Sequence, residues 1–491
     1  MLQKMMNMRF VSGVALTVMP LALSAGGGGK PDSGKPLNVL FFMADDLRPT
    51  LGCYGDPYAV TPHIDRMAAR GVVFDRAYCQ QAVSNPSRAS MLTGLRPDQT
   101  GVINLSTHFR EKLPEVVTLP QLFRKNGFYT VSTGKIFHPV RRLRDSLSWD
   151  APESVYGTHT YADARNKGGK KRKGRAYERA DVPDDIYPDG KIAAEAVAYL
   201  ERVAKSGEPF FLAVGFMRPH LPFCAPAKYW DLYADESFEI RHPEPPKGAA
   251  RLAFHDNNEL RGYAGMSKQG PFPPEERQQL TRGYYASVSY IDAQLGKVMD
   301  ALVRLGLADN TVVVLWGDHG YHLGEQGLWC KSTNFELDTR VPLIVSVPGG
   351  KGGHCDAVVE TVDIYPTLAD YCGVEPPGEL AGVSLRPLLE KRGEYRKQYA
   401  FSQFVRPYQA INKRVETHMG YSVRTPRWRC TYWYDLKTGE VAEKELYRIG
   451  KEGIETQNVS GNRRYAAVER MLASLLDDYR TGKYEKLRSK R

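Results

Sequence analysis

The sequence predicts an α/β protein built on a large, mostly parallel sheet. Three observations carry this. The apolar runs Asn38–Ala44 and Thr311–Gly317 stop directly at Asp45, Asp46 and Asp318, as buried strands do when they deliver polar groups at their C-terminal ends. Helical patterns separate several such runs, which is how parallel strands are connected. With 491 residues, 42% of them hydrophobic, the chain can fill one large domain and a smaller one.

The elements follow in order. Lys4 and Arg9 precede an apolar stretch from Phe10 to Leu23, and Ser24-Ala25-Gly26 offers small residues for cleavage, so residues 1–25 read as a secretory signal peptide. That stretch is short for a membrane span and no later one qualifies, so no transmembrane segment is expected and the mature chain is placed in the periplasm or outside the cell. After the Asn38–Ala44 strand, Val72–Phe74, Tyr129–Thr133 and Phe210–Phe216 read as further strands. Ser84-Asn85-Pro86-Ser87-Arg88 reads as a loop entering a helix near Pro86, because proline in a first helical turn forfeits no hydrogen bond. The free N–H groups of such a helix start share their space with the Arg88 guanidinium, which together suit a small oxyanion. An ordinary capped helix fits the same stretch.

Lys167, Lys170, Lys171, Arg172 and Lys173 lie among glycines between Arg165 and Arg175 without apolar periodicity, the pattern of an exposed loop. From about Pro274 to Leu305, Tyr284, Val288, Ile291, Leu295, Val298 and Leu302 recur at spacings of three and four, which predicts a helix with a core-facing stripe. A strand follows at Thr311–Gly317, so this helix crosses the sheet and returns the chain beside the strand that carries Asp45. Pro342–Val347 is another strand. Beyond Leu388, the aromatic segments Gln398–Phe404, Tyr421–Arg424 and Trp428–Tyr434 predict a small antiparallel sheet, covered by a helix over Arg464–Tyr479 through Val468, Met471, Leu475 and Tyr479.

A formal net charge of +11 favours acidic ligands by long-range steering. The seven cysteines are an odd set without metal-like spacing and read as mostly buried thiols. Clustering Asp45, Asp46 and Asp318 without a cation would force protonation, so a divalent metal is expected; an oxygen-rich donor set selects calcium before magnesium. Lys135 and His138 follow one strand, His220 follows another, and Lys331 comes soon after Asp318; each alone is unremarkable in chemistry.

Ser84-x-Pro86-Ser87-Arg88 with Leu92-Thr93-Gly94 resembles the signature of type I sulfatases, whose first residue, Cys or Ser, is oxidised to formylglycine (3-oxoalanine). Asn38–Pro49, Gly52–Asp56, Gly134–His138, Phe210–Gly215 and Asp318-His319-Gly320 are similar to the iduronate-2-sulfatase branch of that family. The resemblance implies an alkaline-phosphatase-like sulfatase fold with a catalytic domain over 36–412 and a C-terminal subdomain over 413–491, a small antiparallel sheet with one helix. It implies a metal held by Asp45, Asp46, Asp318, His319 and the group made from Ser84, although an imidazole is an unusual calcium ligand and His319 equally suits a supporting role. It places Arg88, Lys135, His138, His220 and Lys331 around the sulfate, donating to its oxygens. A hydroxyl of hydrated formylglycine would attack sulfur, His220 or Lys331 would protonate the leaving sugar oxygen, and His138 would take the proton whose loss expels sulfate. By ordinary pKa, His220 is the better acid near neutrality unless burial depresses Lys331.

Serine at position 84 implies a partner, the radical, oxygen-independent maturation enzyme of serine-type sulfatases. The other partner implied is a sulfated glycan; no nucleic acid is expected. The chain departs from the iduronate branch between Pro139 and Asp185 and at Tyr321, where that branch has Trp, and both are expected to line the sugar pocket. The expected activity is exo-removal of 2-O-sulfate from iduronate or unsaturated hexuronate of glycosaminoglycans. Its rivals are a sulfatase for another polysaccharide such as ulvan, a two-zinc phosphatase or phosphodiesterase, and a noncatalytic polyanion-binding protein. The absence of an Asp-x-x-x-His pair between Ser84 and Asp318 speaks against the two-zinc enzyme.

Overall fold

Residues 38–45 (β1, Asn38–Asp45) are buried along their whole length, which is why no polar side chain interrupts the strand between Asn38 and Asp45. Successive side chains of a strand point to opposite faces, and here Val39, Phe41 and Met43 enter one hydrophobic core while Leu40, Phe42 and Ala44 enter another. The sheet is thus covered on both sides. The computed structural model describes residues 36–169, 173–392, 394–395, 397–451 and 453–484; the expected leader and Lys170, Lys171 and Arg172 lie outside the described residues.

Parallel neighbours of β1 are Phe210–Pro219 (β4) and Thr311–Gly317 (β5). The other strands of this sheet are Val72–Tyr78 (β2), Tyr129–Gly134 (β3), Arg340–Val341 (β6), Leu343–Ser346 (β7) and Gly353–Glu360 (β8). The order is β6-β2-β7-β5-β1-β4-β3, with β8 beside β2. The half that carries β3, β4, β1 and β5 is parallel throughout, whereas β7 runs antiparallel to both its neighbours and β6 antiparallel to β2, so the sheet is mixed. β8 has no apolar run to announce it, because only Val358, Val359 and Glu360 at its end are fully buried.

Of the helices that matter for the site, Ser84–Thr93 (α1) is buried at every position. Pro188–Ser206 (α2) packs on β4 and on the long helix Pro274–Arg304 (α4), which buries the expected stripe and leads the chain into β5 beside β1. Asn258–Arg261 (α3) is a single short turn before it.

Ala400–Arg406 (β9), His418–Arg424 (β10), Trp428–Asp435 (β11) and Val441–Arg448 (β12) form the small antiparallel sheet in simple sequence order. Its first strand precedes residue 413, so the sheet straddles the expected domain division, which falls in the connection between β9 and β10. The helix Ala466–Arg480 (α5) covers it with Leu472, Leu476 and Tyr479, while Met471 is 49% exposed. Of the expected stripe, Tyr479 is buried and Val468 and Leu475 pack partly buried against the core, so Met471 alone is turned outward, with Leu472 and Leu476 buried beside it. Tyr479, common to the expected stripe and the observed face, anchors the helix by stacking on Phe401, ring centroids 4.4 Å apart. All seven cysteines are free thiols, five of them buried.

Candidate active site

Four chain segments meet at the C-terminal ends of β1, β3, β4 and β5. Asp45 ends β1, and Asp46 follows in the left-handed region (φ 64°), which turns its carboxylate toward the same space. Asp318 follows β5 immediately, and its Oδ1 accepts from the backbone N–H of Asp46 at 3.1 Å and of His319 at 3.1 Å. The helix crossover expected from the sequence has brought the Asp46 backbone and the Asp318 carboxylate, 272 residues apart, into contact.

α1 begins at Ser84 itself rather than near Pro86, with the proline third in a first turn whose N–H groups have no intrahelical partner. Ser84 Oγ lies 3.1 Å from Asp45 Oδ1, 3.2 Å from Lys135 Nζ and 3.4 Å from His319 Nε2. Lys135 reaches this point because Gly134 and Gly215 let β3 and β4 close on one another: Gly134 has φ 81°, a Cβ on it would sit 2.0 Å from the Gly215 carbonyl oxygen, and Lys135 N donates to that oxygen at 2.8 Å. Lys135 Nζ then bonds Asp45 Oδ2 at 2.5 Å.

Arg88 is fully buried, and its donors go to protein: Nε to Asp318 Oδ2 (2.8 Å), Nη2 to Asp45 Oδ1 (3.1 Å), and Nη1 to the carbonyls of Lys135 and Ile136. Through these bonds it fastens the carboxylates. Lys331 Nζ bonds Asp46 Oδ2 at 2.8 Å and Glu259 Oε1 at 2.9 Å. His220 Nδ1 lies 2.6 Å from the Leu221 carbonyl, which fixes the proton on Nδ1, and its Nε2 faces Glu259 Oε1 at 3.4 Å. Arg218, buried, steadies that turn through the carbonyls of His220 and Cys224.

Glu259 carried no signal in the sequence. It lies in the polar run Asp256-Asn257-Asn258-Glu259, where only contact with Lys331 and His220 distinguishes it from a surface residue. Tyr321 does not line a pocket. It is fully buried, stacks on Tyr284 at 5.3 Å and gives its hydroxyl to Cys330 Sγ at 3.2 Å, so it is core behind the site. From the segment that departs from the iduronate branch, His159 Nε2 meets the Tyr263 hydroxyl at 3.0 Å, and Lys173 Nζ sits 4.5 Å from the Tyr263 ring and donates to the Glu259 carbonyl at 3.4 Å. These residues form the rim beside Glu259.

The charges are unequal in their surroundings. Burial would raise the Asp45 carboxyl, but Lys135, His220 and Arg88 outweigh it and hold it well below the usual range. Burial raises Asp46 to about 7 against the pull of Lys331, and the charge of Asp45 adds to the rise. Burial lowers Lys135, partly offset by Asp45, whereas Asp46 and Glu259 overcome burial and hold Lys331 well above an ordinary lysine. His138, half-buried with no partner on Nδ1 among the described residues, is lowered to about 3 by burial and then by Lys135. Burial and Lys331 push His220 well below its ordinary value.

Asp45, Asp46, Asp318 and His319 present ligand atoms that all lie within 4.8 Å of one another. Asp46 Oδ1 is buried without a hydrogen-bond partner, and His319 Nδ1 lies 3.1 Å from the Gly320 carbonyl, so the proton sits on Nδ1 and the Nε2 lone pair faces the carboxylates. This set fits a divalent cation. Asp46, His220 and Glu259 are equally close, but the Lys331 ammonium bonds two of them and takes the place of a second ion.

Residues 37–374 match the family model described as Sulfatase, and residues 324–482 match the model described as N-sulphoglucosamine sulphohydrolase, C-terminal. The chain belongs to the sulfatase family, and it is a sulfatase by the enzymes it is related to. It is 33% identical to iduronate 2-sulfatase of Mus musculus over 86% of this chain and 90% of that protein. To the Delta 4,5-hexuronate-2-O-sulfatase of Bacteroides thetaiotaomicron it is 28% identical, over 96% of this chain and 94% of the other. A solved 2-O GAG sulfatase superposes with a TM-score of 0.70 at 26% identity, covering 93% of this chain and 94% of its own. Among the described residues no helix is long and apolar enough to cross a membrane.

Proposed function

We propose that this chain is an exported, calcium-dependent exo-sulfatase that removes a 2-O-sulfate from a uronic acid at the end of a glycosaminoglycan chain, using formylglycine made from Ser84 by a radical maturation enzyme. The observation that carries the reading is the position of Ser84 Oγ, between the carboxylates and Lys135 at the start of a buried helix. Asp45, Asp46, Asp318 and His319 would hold the ion, and their mostly carboxylate oxygens favour calcium. When present, the ion would increase the acidity of a coordinated hydroxyl and formylglycine would supply, in its hydrated form, the nucleophile.

The chain's own side chains set up the rest. Lys135 Nζ, between Asp45 and Ser84, balances charge at the nucleophile's position. Lys331, between Asp46 and Glu259, stays an ammonium and can give its proton to the leaving sugar oxygen; this reverses the ranking from ordinary pKa values, because His220 is the group that burial neutralises. His220 Nε2 is left to accept from a sugar hydroxyl, and the neutral His138, with its free Nδ1, can accept the proton whose loss releases sulfate. Arg88 holds the carboxylates in place. Names of relatives that act on iduronate and hexuronate, together with the cation Lys173 at the rim, support a uronate substrate.

The test is sulfate release from a panel of defined sulfated mono- and disaccharides, with Ser84→Ala as control and mass spectrometry of the peptide containing residue 84. Release from 2-O-sulfated uronates at non-reducing ends is expected. Release only from other sulfated sugars, ulvan fragments included, would reject the specificity and keep the class.

A further inference from the structure

Glu259 stands where a carboxylate opposes substrate binding. Its side chain is 15% exposed at the mouth of a site that must admit a sulfate ester, yet Lys331 is already neutralised by Asp46 at 2.8 Å. A carboxylate that pairs with Lys331 weakens the pull of that ammonium on an anionic substrate, so ground-state binding does not explain the residue. Ion-pair stability explains it poorly too, since a buried pair gains little over its desolvation.

The placement of Glu259 is specified by the backbone that carries Lys331. Asn257, in the left-handed region at φ 52°, accepts from the N–H of Trp329 at 2.8 Å and donates to the Gly327 carbonyl at 3.3 Å, two and four residues before Lys331. Lys173 Nζ holds the Glu259 carbonyl from the other side at 3.4 Å. The carboxylate thus meets Lys331 Nζ with both oxygens at 2.9 Å while Oε1 faces His220 Nε2 at 3.4 Å.

Building on the proposed sulfatase reading, we infer that Glu259 is a positioning residue for the leaving-group side of the reaction, fixing the Lys331 ammonium toward the sugar oxygen. As the nucleophilic oxygen carried at residue 84 bonds to sulfur, the bond between sulfur and the sugar oxygen breaks and its electron pair goes to the sugar oxygen, which takes a proton from Nζ; the resulting amine is re-protonated from solvent.

The experiment compares wild type, Glu259→Gln and Glu259→Asp, each with formylglycine occupancy measured by mass spectrometry and folding checked by thermal melting. Substrates are the sugar sulfate that wild type cleaves and 4-nitrophenyl sulfate, whose leaving group needs no proton. Glu259→Gln is expected to lower kcat on the sugar sulfate about 100-fold with KM changed less than about 3-fold, and kcat on the aryl sulfate less than about 3-fold. Glu259→Asp should restore part of the loss, and it carries the comparison if the Gln variant melts early. Equal losses on both substrates, a rise confined to KM, or unchanged kcat would overturn the inference. Wild type that releases no sulfate from any substrate would instead overturn the sulfatase reading on which it rests.

Discussion

Arg88 and Asp318 are joined by a 2.8 Å ion pair in which neither side chain is more than 1% exposed. The same guanidinium reaches Asp45 at 3.1 Å, so a rigid fork spans two of the three carboxylates that would hold the metal. Arg88→Lys keeps the charge and loses the fork. Calcium affinity, measured by titration calorimetry, is expected to fall about 10- to 100-fold, as supporting contacts to ligands typically require. Arg88→Ala leaves both carboxylates without this partner and should destabilise the fold by about 3–5 kcal/mol in a denaturant melt.

Removing the metal should be visible without any assay of activity. Asp45, Asp46 and Asp318 are buried together, so an ion that binds only the folded chain stabilises it by about 2.7 kcal/mol at a hundredfold excess over Kd. Chelator should lower the melting temperature, and calcium should restore it more fully than magnesium. An unchanged melt on adding either ion would reject the site.

Much of this site was legible because burial leaves a mark on sequence. β1 and β5 are apolar up to the residue where they meet the site, so Asp45, Asp46 and Asp318 stand out, and the handedness of a helical crossover says that such strands lie side by side. What direction a side chain takes leaves no such mark. Arg88 bonds carboxylates and Tyr321 points into the core, and neither follows from spacing. Glu259 was invisible because a polar loop looks the same whether it faces water or a lysine. On α5 the outward Met471 could not be told from the buried Leu472 because both satisfy helical periodicity.

Lys173 is exposed, and among the described residues its Nζ meets a ring face and a backbone carbonyl, with no ion pair to a carboxylate. Its charge is therefore available to a carboxylate on the sugar. Lys173→Ala should raise KM about 10-fold for a 2-O-sulfated uronate while kcat holds, and should leave KM for a sulfated neutral sugar within about 2-fold. Equal effects on both substrates would remove Lys173 from uronate recognition.

Glu445 gives the folded state a pH dependence remote from the site. It accepts from the Tyr447 hydroxyl at 2.5 Å, the Trp433 indole at 3.1 Å and the Ala250 N–H at 3.2 Å, yet burial outweighs these bonds and raises it from 4.5 to about 7. Below pH 4.5 both folded and unfolded chains carry the proton and the contribution to stability is complete. Between pH 4.5 and 7 the unfolded chain ionises first, so stability falls as pH rises, by about 3 kcal/mol in all, and above pH 7 the loss is complete. Glu445→Gln has no proton to lose. The difference in melting temperature between wild type and variant, followed from pH 5 to pH 8, should move steadily in favour of the variant, and a constant difference would show that Glu445 is ionised throughout.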